Sequence, residues 1–300
     1  MSNRADDRQQ IIADLHSWVK QNQGMSTGWY LDEGDQPGVI PTAPVAEKKT
    51  APAKAQAPVT PPPAPPVPNV DKEAAFRLLC DQYVDQALLM IMQEPSVTAE
   101  ADPLVAAHQG DAGAALAALA AEVSPCTACD LSSGRTTTVF GTGNPTADVV
   151  FIGDTPGLDE DRQGEPFVGE SGKLLTKILG AIGFARQDVY LANVLKCQSP
   201  EGRDPLPEEV RHCEPHLRRQ LAIIQPRVIC CLGRVAAQAL LKTDLSLAEL
   251  RERVHFYAGV PVMATYHPAA LLRNPGWKRD TWEDVRKLRA LSDALQKGTG

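Results

Sequence analysis

The chain has 300 residues, 43% of them hydrophobic, and a formal net charge of −7, enough length and apolar content for one large domain or two small ones. The charge is uneven: residues 1–125 carry 8 Lys/Arg against 16 Asp/Glu, and residues 126–300 carry 22 against 21. The overall acidity therefore does not exclude a nucleic-acid surface on the second half, and it excludes only steering by the whole-molecule field. No stretch reaches the ~18 apolar residues of a membrane span, and Met1–Lys20 is polar and acidic rather than leader-like, so the chain reads as cytosolic.

Residues 1–40 hold a short amphipathic pattern with Ile11, Ile12, Leu15 and Val19 at helical spacing. Residues 41–69 form a Pro/Ala-rich linker, ten of the 25 prolines falling within 41–68, and such a chain cannot bury enough surface to offset its ordering entropy. Residues 70–122 read as a helical, partly disordered extension, with helices over 71–93 and 112–123. The first two helices are either a partner-binding module or weak helices in a mobile arm, and a protein partner for residues 1–120 rests on the first alternative.

From Ala147 onward strands and helices alternate. Buried strands are expected at 147–154, 188–197, 226–233 and 260–268, and helices at 172–183, 207–224, 234–241 and 278–297. The alternation predicts an α/β fold with a parallel sheet covered on both faces. Ligands of such sheets bind beyond the carboxyl ends of the strands, and three chemically loaded segments follow strand ends: 153–169, 193–205 and 267–275.

"GESGKLL" at 169–175 has the look of a phosphate loop but lacks its frame, with Phe167 where a glycine and Leu174 where a hydroxyl would be needed. The cysteines are more informative. Cys126 and Cys129 form a C-x2-C chelating pair, and Cys197 and Cys213 follow at a strand end and in the next helix. The intervals of 2, 67 and 15 residues match neither a repeated zinc pair nor a compact ferredoxin run, so the chemistry alone gives a four-cysteine metal site with the metal open. Cys230 and Cys231 lie inside an apolar strand and read as core. His267 stands at a strand end before Pro268, and Asn193 interrupts an otherwise apolar strand, which demands a partner for its amide.

Together "GDTPGLDEDRQGEPFVGESGKLL" (153–175), "ANVLKCQSPEGRDP" (192–205), "TYHPAALLRNP" (265–275) and the four cysteines resemble the family 4 uracil-DNA glycosylases, the iron–sulfur type of bacteria and archaea. The resemblance covers about 123–295, within a domain taken as 123–297, and leaves the first 120 residues aside. It implies a three-layer αβα sandwich around a four-stranded parallel sheet, preceded by a largely disordered arm. A structural [4Fe–4S] cluster on Cys126, Cys129, Cys197 and Cys213 is implied as well.

It further implies a monofunctional, monomeric enzyme of the bacterial cytoplasm that flips uracil from DNA, hydrolyses the N-glycosidic bond and leaves an abasic site for base excision repair. By the same resemblance Gly153 and its turn admit the base edge, Phe167 stacks on it, Asn193 reads O4 and N3–H, and Glu160 lies near C5. His267 donates to O2, and Asp154 orients the attacking water. Leu271 fills the vacated stack and Arg273 meets phosphate. Asp154 stands where the family usually has Glu, Thr155 where it has Ala or Gln, and "SPEGRDP" departs from the usual "PPxNRxP". These departures keep two other readings open: a uracil-DNA binding protein without turnover, and a polymerase-associated assembly factor. The first lacks support at 198–208, which has neither a basic insertion nor a histidine.

Overall fold

The computed structural model describes residues 80–88, 90 and 102–297. The helix expected near residues 10–20, the 41–69 linker and most of the 71–93 helix lie outside the described residues, although 80–88 are helical. Among the described residues no helix is long and apolar enough to cross a membrane.

The chain first forms helices α1 (Pro103–Ala107) and α2 (Ala112–Val123), each begun by an aspartate whose carboxylate takes a first-turn amide. Arg219 on a later helix reaches back to both: its Nε lies 2.7 Å from Asp102 Oδ2 and its Nη1 2.5 Å from Glu122 Oε2. This charge pair holds the Asp102 carboxyl below its ordinary range.

The sheet that follows has six strands in the order β1-β3-β2-β4-β6-β5. They are β1 (Thr142–Gly143), β2 (Val149–Gly153), β3 (Tyr190–Asn193), β4 (Val228–Leu232), β5 (His255–Tyr257) and β6 (Val260–Thr265). The four central strands β3, β2, β4 and β6 are mutually parallel. The three-layer α/β architecture is as the sequence implies, with one correction: the four-stranded parallel sheet gains an antiparallel strand at each edge.

Both additions carry weak sequence signals. β1 has two residues. β5 returns through a two-residue turn, Ala258 and Gly259, each with positive φ (48° and 79°). That backbone suits a tight hairpin, but Ala at the first position hides it from a search for Asn-Gly or Asp-Gly.

Alternation within each strand feeds two faces. Val150, Ile152, Ile229, Cys231 and Ala264 pack toward α2, α5 (Pro207–Ile224) and α6 (Arg234–Leu241). Val149, Phe151, Cys230, Leu232 and Met263 pack toward α4 (Glu170–Ala181), α9 (Lys278–Lys297) and the 80–88 helix. Cys230 and Cys231 are thus core residues on opposite faces. Short helices α3 (Leu158–Gln163), α7 (Leu247–Arg251) and α8 (Pro268–Arg273) occupy the connections. α3 and α8 follow the carboxyl ends of β2 and β6, where the sequence concentrates its polar chemistry.

Candidate active site

Gly153 ends β2 and Asn193 ends β3, paired in register. Asn193 is 3% exposed, and its side-chain Oδ1 has no hydrogen-bond partner. A buried orphan acceptor costs ~1–3 kcal/mol, so this atom is poised for a donor that enters from outside. A Cβ on residue 153 would lie 2.4 Å from that oxygen and 2.7 Å from Phe167 Cζ. Only glycine leaves the two side chains room to converge.

Phe167 is 5% exposed and adopts φ 56°, a left-handed backbone that an aromatic residue rarely takes. Such strain costs about 1–3 kcal/mol and persists only where the surroundings impose it. Glu160 on α3 is part of that frame. Its Oε1 accepts from the amides of Val168 and Gly169, both at 3.0 Å, so the carboxylate braces the turn that carries the ring. Gly172 is the other part: a Cβ there would strike the Phe167 carbonyl oxygen at 1.8 Å. The glycine in the first turn of α4 is therefore what lets the helix seat under the strained residue. Lys173, the candidate phosphate-loop lysine, stands at the surface paired with Glu170 at 2.5 Å.

His267 completes the pocket from the N-cap of α8, just beyond β6, its ring centroid 5.9 Å from that of Phe167. Its Nδ1 accepts the amide of Ala269 at 3.1 Å, so the proton of the neutral ring sits on Nε2. That Nε2 lies 3.7 Å from Asp154 Oδ1. Burial pushes the imidazole below its ordinary pKa, and the Asp154 charge only partly opposes this. Asp154 itself, 28% exposed at its side chain, accepts the amide of Thr155 at 2.8 Å through Oδ1.

The segment around His267 is held from beneath. Asp284 accepts from Thr265 Oγ1 and from Arg251 Nε, each at 2.7 Å. Arg251 lies over the Tyr266 ring at 4.5 Å, and Tyr266 stacks on Trp277 at 4.7 Å. Of these five residues only Thr265 and Tyr266 fall in a quoted motif; Arg251, Trp277 and Asp284 carry none. Their role depends on contacts between distant segments, which periodicity does not reveal.

Beyond His267 stands Leu271, the residue expected to fill the vacated stack. Leu271 is fully buried among Leu174, Ile178, Ile182 and Val285, because its position on the one-and-a-half turns of α8 faces the core. It cannot enter a base stack without vacating that core. The neighbouring Leu272 is 49% exposed, and Arg273 is exposed beside it.

Cys126, Cys129, Cys197 and Cys213 line one small cavity with His212, His216, Arg135 and Lys196. Three of the sulfurs already engage nitrogen: Arg135 Nη1 donates to Cys197 at 3.4 Å, the Lys196 amide donates to Cys213 at 3.3 Å, and His216 Nε2 lies 3.4 Å from Cys126. Burial raises the Cys197 and Cys213 thiols, the latter to about 11. Yet among the described residues no three His, Cys, Asp or Glu stand close enough to hold a single metal ion. Four thiolates on one tetrahedral ion lie roughly 3.8 Å apart, given Zn–S bonds of about 2.3 Å.

A family model described as the uracil DNA glycosylase superfamily matches residues 140–286. The type-4 uracil-DNA glycosylase of Archaeoglobus fulgidus is 45% identical over 183 residues, covering 58% of this chain and 92% of the relative. The chain belongs to the type-4 uracil-DNA glycosylases. That makes it an enzyme, a glycosylase. The Thermotoga maritima type-4 enzyme is 41% identical over 172 residues, with 56% of this chain and 90% of the relative covered. A type-5 uracil-DNA glycosylase of Pyrobaculum aerophilum is 34% identical over 171 residues, with 51% and 74% covered.

Proposed function

We propose that this glycosylase flips uracil out of DNA and hydrolyses its N-glycosidic bond, releasing uracil and leaving an abasic site for base excision repair in the cytoplasm. The observation that carries the reading is the buried, unpartnered Oδ1 of Asn193 beside the Phe167 ring. Uracil offers N3–H to that oxygen and O4 to the Asn193 amide N–H. Cytosine presents a bare N3 and a donor at C4, which would set acceptor against acceptor and donor against donor. Phe167 stacks on the flipped ring, and Gly153 leaves space for its edge.

Cleavage follows from the remaining two residues. The C1′–N1 bond breaks with its electron pair on uracil N1, delocalised toward O2. His267, neutral and protonated on Nε2, donates to O2 and stabilises that charge. A water held by Asp154 attacks C1′, and the proton it sheds is taken up by the carboxylate. The shorter side chain of Asp154 is compensated by its fixed orientation on the Thr155 amide. The chemistry is monofunctional and stops at the abasic site. Glu160 acts as the brace of the Phe167 turn, and Leu272 with Arg273 is the pair that meets the gap in the duplex and its phosphates.

The four cysteines fit a [4Fe–4S] cluster better than a single ion, because each cluster iron takes one thiolate and the sulfurs stand farther apart. When bound, the group ties the segment after α2 to β3 and α5. The chain acts as a monomer on uracil-containing DNA.

Excision from a labelled single-uracil oligonucleotide, revealed by hot alkali, tests the function. Release of free uracil by the wild type and its loss in Asn193→Ala is the expected result. Tight binding without release would overturn it in favour of a uracil-DNA binding protein.

A further inference from the structure

Residues 196–199 run between the two sites, and each side of Cys197 is tied to the base pocket. Lys196 is 1% exposed, and no carboxylate among the described residues pairs with it. Its Nζ donates to the Asn193 carbonyl at 2.8 Å and to Gln220 Oε1 at 2.6 Å. Gln220 is fixed in turn, donating to the Phe140 carbonyl at 2.9 Å and to the Tyr190 hydroxyl at 3.2 Å. The backbone amide of the same lysine donates to Cys213 Sγ.

On the other side, Thr155 Oγ1 donates to the Cys197 carbonyl at 3.2 Å and accepts the Ser199 amide at 3.2 Å. Ser199 is fully buried, with its Oγ 3.3 Å from the same hydroxyl. The Thr155 amide meanwhile holds Asp154 Oδ1. Two of the pocket's polar positions, 193 and 154, are thus each joined through one residue to the segment that carries Cys197.

Burying an ammonium is expensive, and a methionine of similar length would fill the space at lower cost. What methionine cannot do is hold the main chain of the base-reading residue. Valine would fill the place of Thr155 without holding Cys197 or Ser199.

We propose that Lys196 and Thr155 are positioning residues that clamp the Cys197 segment to Asn193 and Asp154, so that occupation of the four-cysteine site and of the uracil pocket stabilise each other. The linkage rests on the cluster reading given above. It is reciprocal by thermodynamic necessity: a base bound between Asn193 and Asp154 must hold the 196–199 segment closed over the cysteines. Local opening of that segment frees Cys197 from the site, so a bound base that holds it closed slows loss of the metal to a chelator.

The test uses the full iron-loaded chain with an oligonucleotide carrying non-cleavable 2′-fluoro-2′-deoxyuridine, or deoxycytidine at the same position. Iron release to a chelator is followed together with binding of each DNA. In the wild type the uracil analogue is expected to slow release about fivefold or more relative to the cytidine DNA, within the usual range of coupling between sites. Thr155→Val and Lys196→Met should lose most of this protection and part of the preference for uracil over cytosine, and Thr155→Ser should restore both. If Lys196→Met does not fold, the threonine pair decides alone. Equal release from both DNAs, with the analogue bound and iron present, overturns the linkage while leaving the cluster reading intact. Full protection in Thr155→Val overturns it too. A wild-type protein that binds the analogue but carries no iron overturns the cluster reading and the linkage with it.

Discussion

Gly153 and Asn193 sit opposite each other at the carboxyl ends of adjacent parallel strands, and a single added methyl on the glycine would lie 2.4 Å from the asparagine's unpartnered oxygen. The pocket is therefore defined as much by a missing side chain as by those present. Gly153→Ala should abolish uracil excision by roughly a hundredfold or more, as a misplaced reacting geometry does. Its melting temperature should change little, because Asn193 and Phe167 can shift into the space meant for the base. Single-turnover kinetics beside a thermal melt separates these effects, and retained excision would show that the glycine is not the limit on the pocket.

Gly172→Ala acts at one remove. Its methyl would collide with the Phe167 carbonyl, a backbone atom with no rotamer to escape into. The left-handed Phe167 turn must then rearrange, and the variant is expected to lose both activity and about 1–3 kcal/mol of stability, the range for a displaced strained residue. Denaturant unfolding reads the second quantity directly.

His267 sets the acid limb of activity. Its folded pKa lies below the ordinary value of about 6.5, because burial disfavours the imidazolium. The ring stays neutral through neutral pH, so excision should be flat there and fall only in acid as Nδ1 gains a proton and loses the Ala269 amide. The stability sign follows from the same shift. The unfolded chain takes up this proton first, so folding loses stability as pH drops below about 6.5 and stops losing it below the folded pKa. His267→Gln, which keeps a donor but cannot charge, should lack the acid limb assigned to this residue.

Leu271 and Leu272 offer a matched pair. Leu271→Ala should cost about 2–5 kcal/mol by opening a core cavity. Leu272→Ala should leave stability within about 0.5 kcal/mol but lower excision from duplex DNA more than from single strands, where no stack needs filling. The opposite pattern on DNA would return the wedge to another residue.

Cys213→Ser removes one thiolate from the cavity while keeping the shape of α5. Iron content and visible absorbance should fall together, with destabilisation of the segment around Cys126 detectable as faster hydrogen exchange. Unchanged iron would place the fourth ligand elsewhere.

The expected helix limits 112–123, 207–224, 234–241 and 278–297 coincide with the observed ones because caps and period act locally. The strands were legible as apolar runs, though shorter in the fold than in the sequence pattern. What escaped is what depends on distance in three dimensions. Lys196 reads as an ordinary charge at a strand end, yet it is fully buried, its ammonium taken by Gln220 from α5. Leu271 and Leu272 are indistinguishable in "AALLRNP", and only the seating of α8 on α4 decides which faces water. Glu160 reads as an acid near the base, and its bonds to two amides eight and nine residues later make it a brace.

Asp102 caps α1, and Arg219 fastens it beside Pro226 and Val260, which lie at the starts of β4 and β6. Gly153, Asn193 and His267 stand at or beyond the opposite strand ends. A label or surface attachment placed on the exposed Ala106 or Ala107 of α1 therefore sits at the far end of the sheet. Immobilising the protein by that end should leave the substrate-facing side turned outward, an orientation suited to surface-based measurements on long DNA.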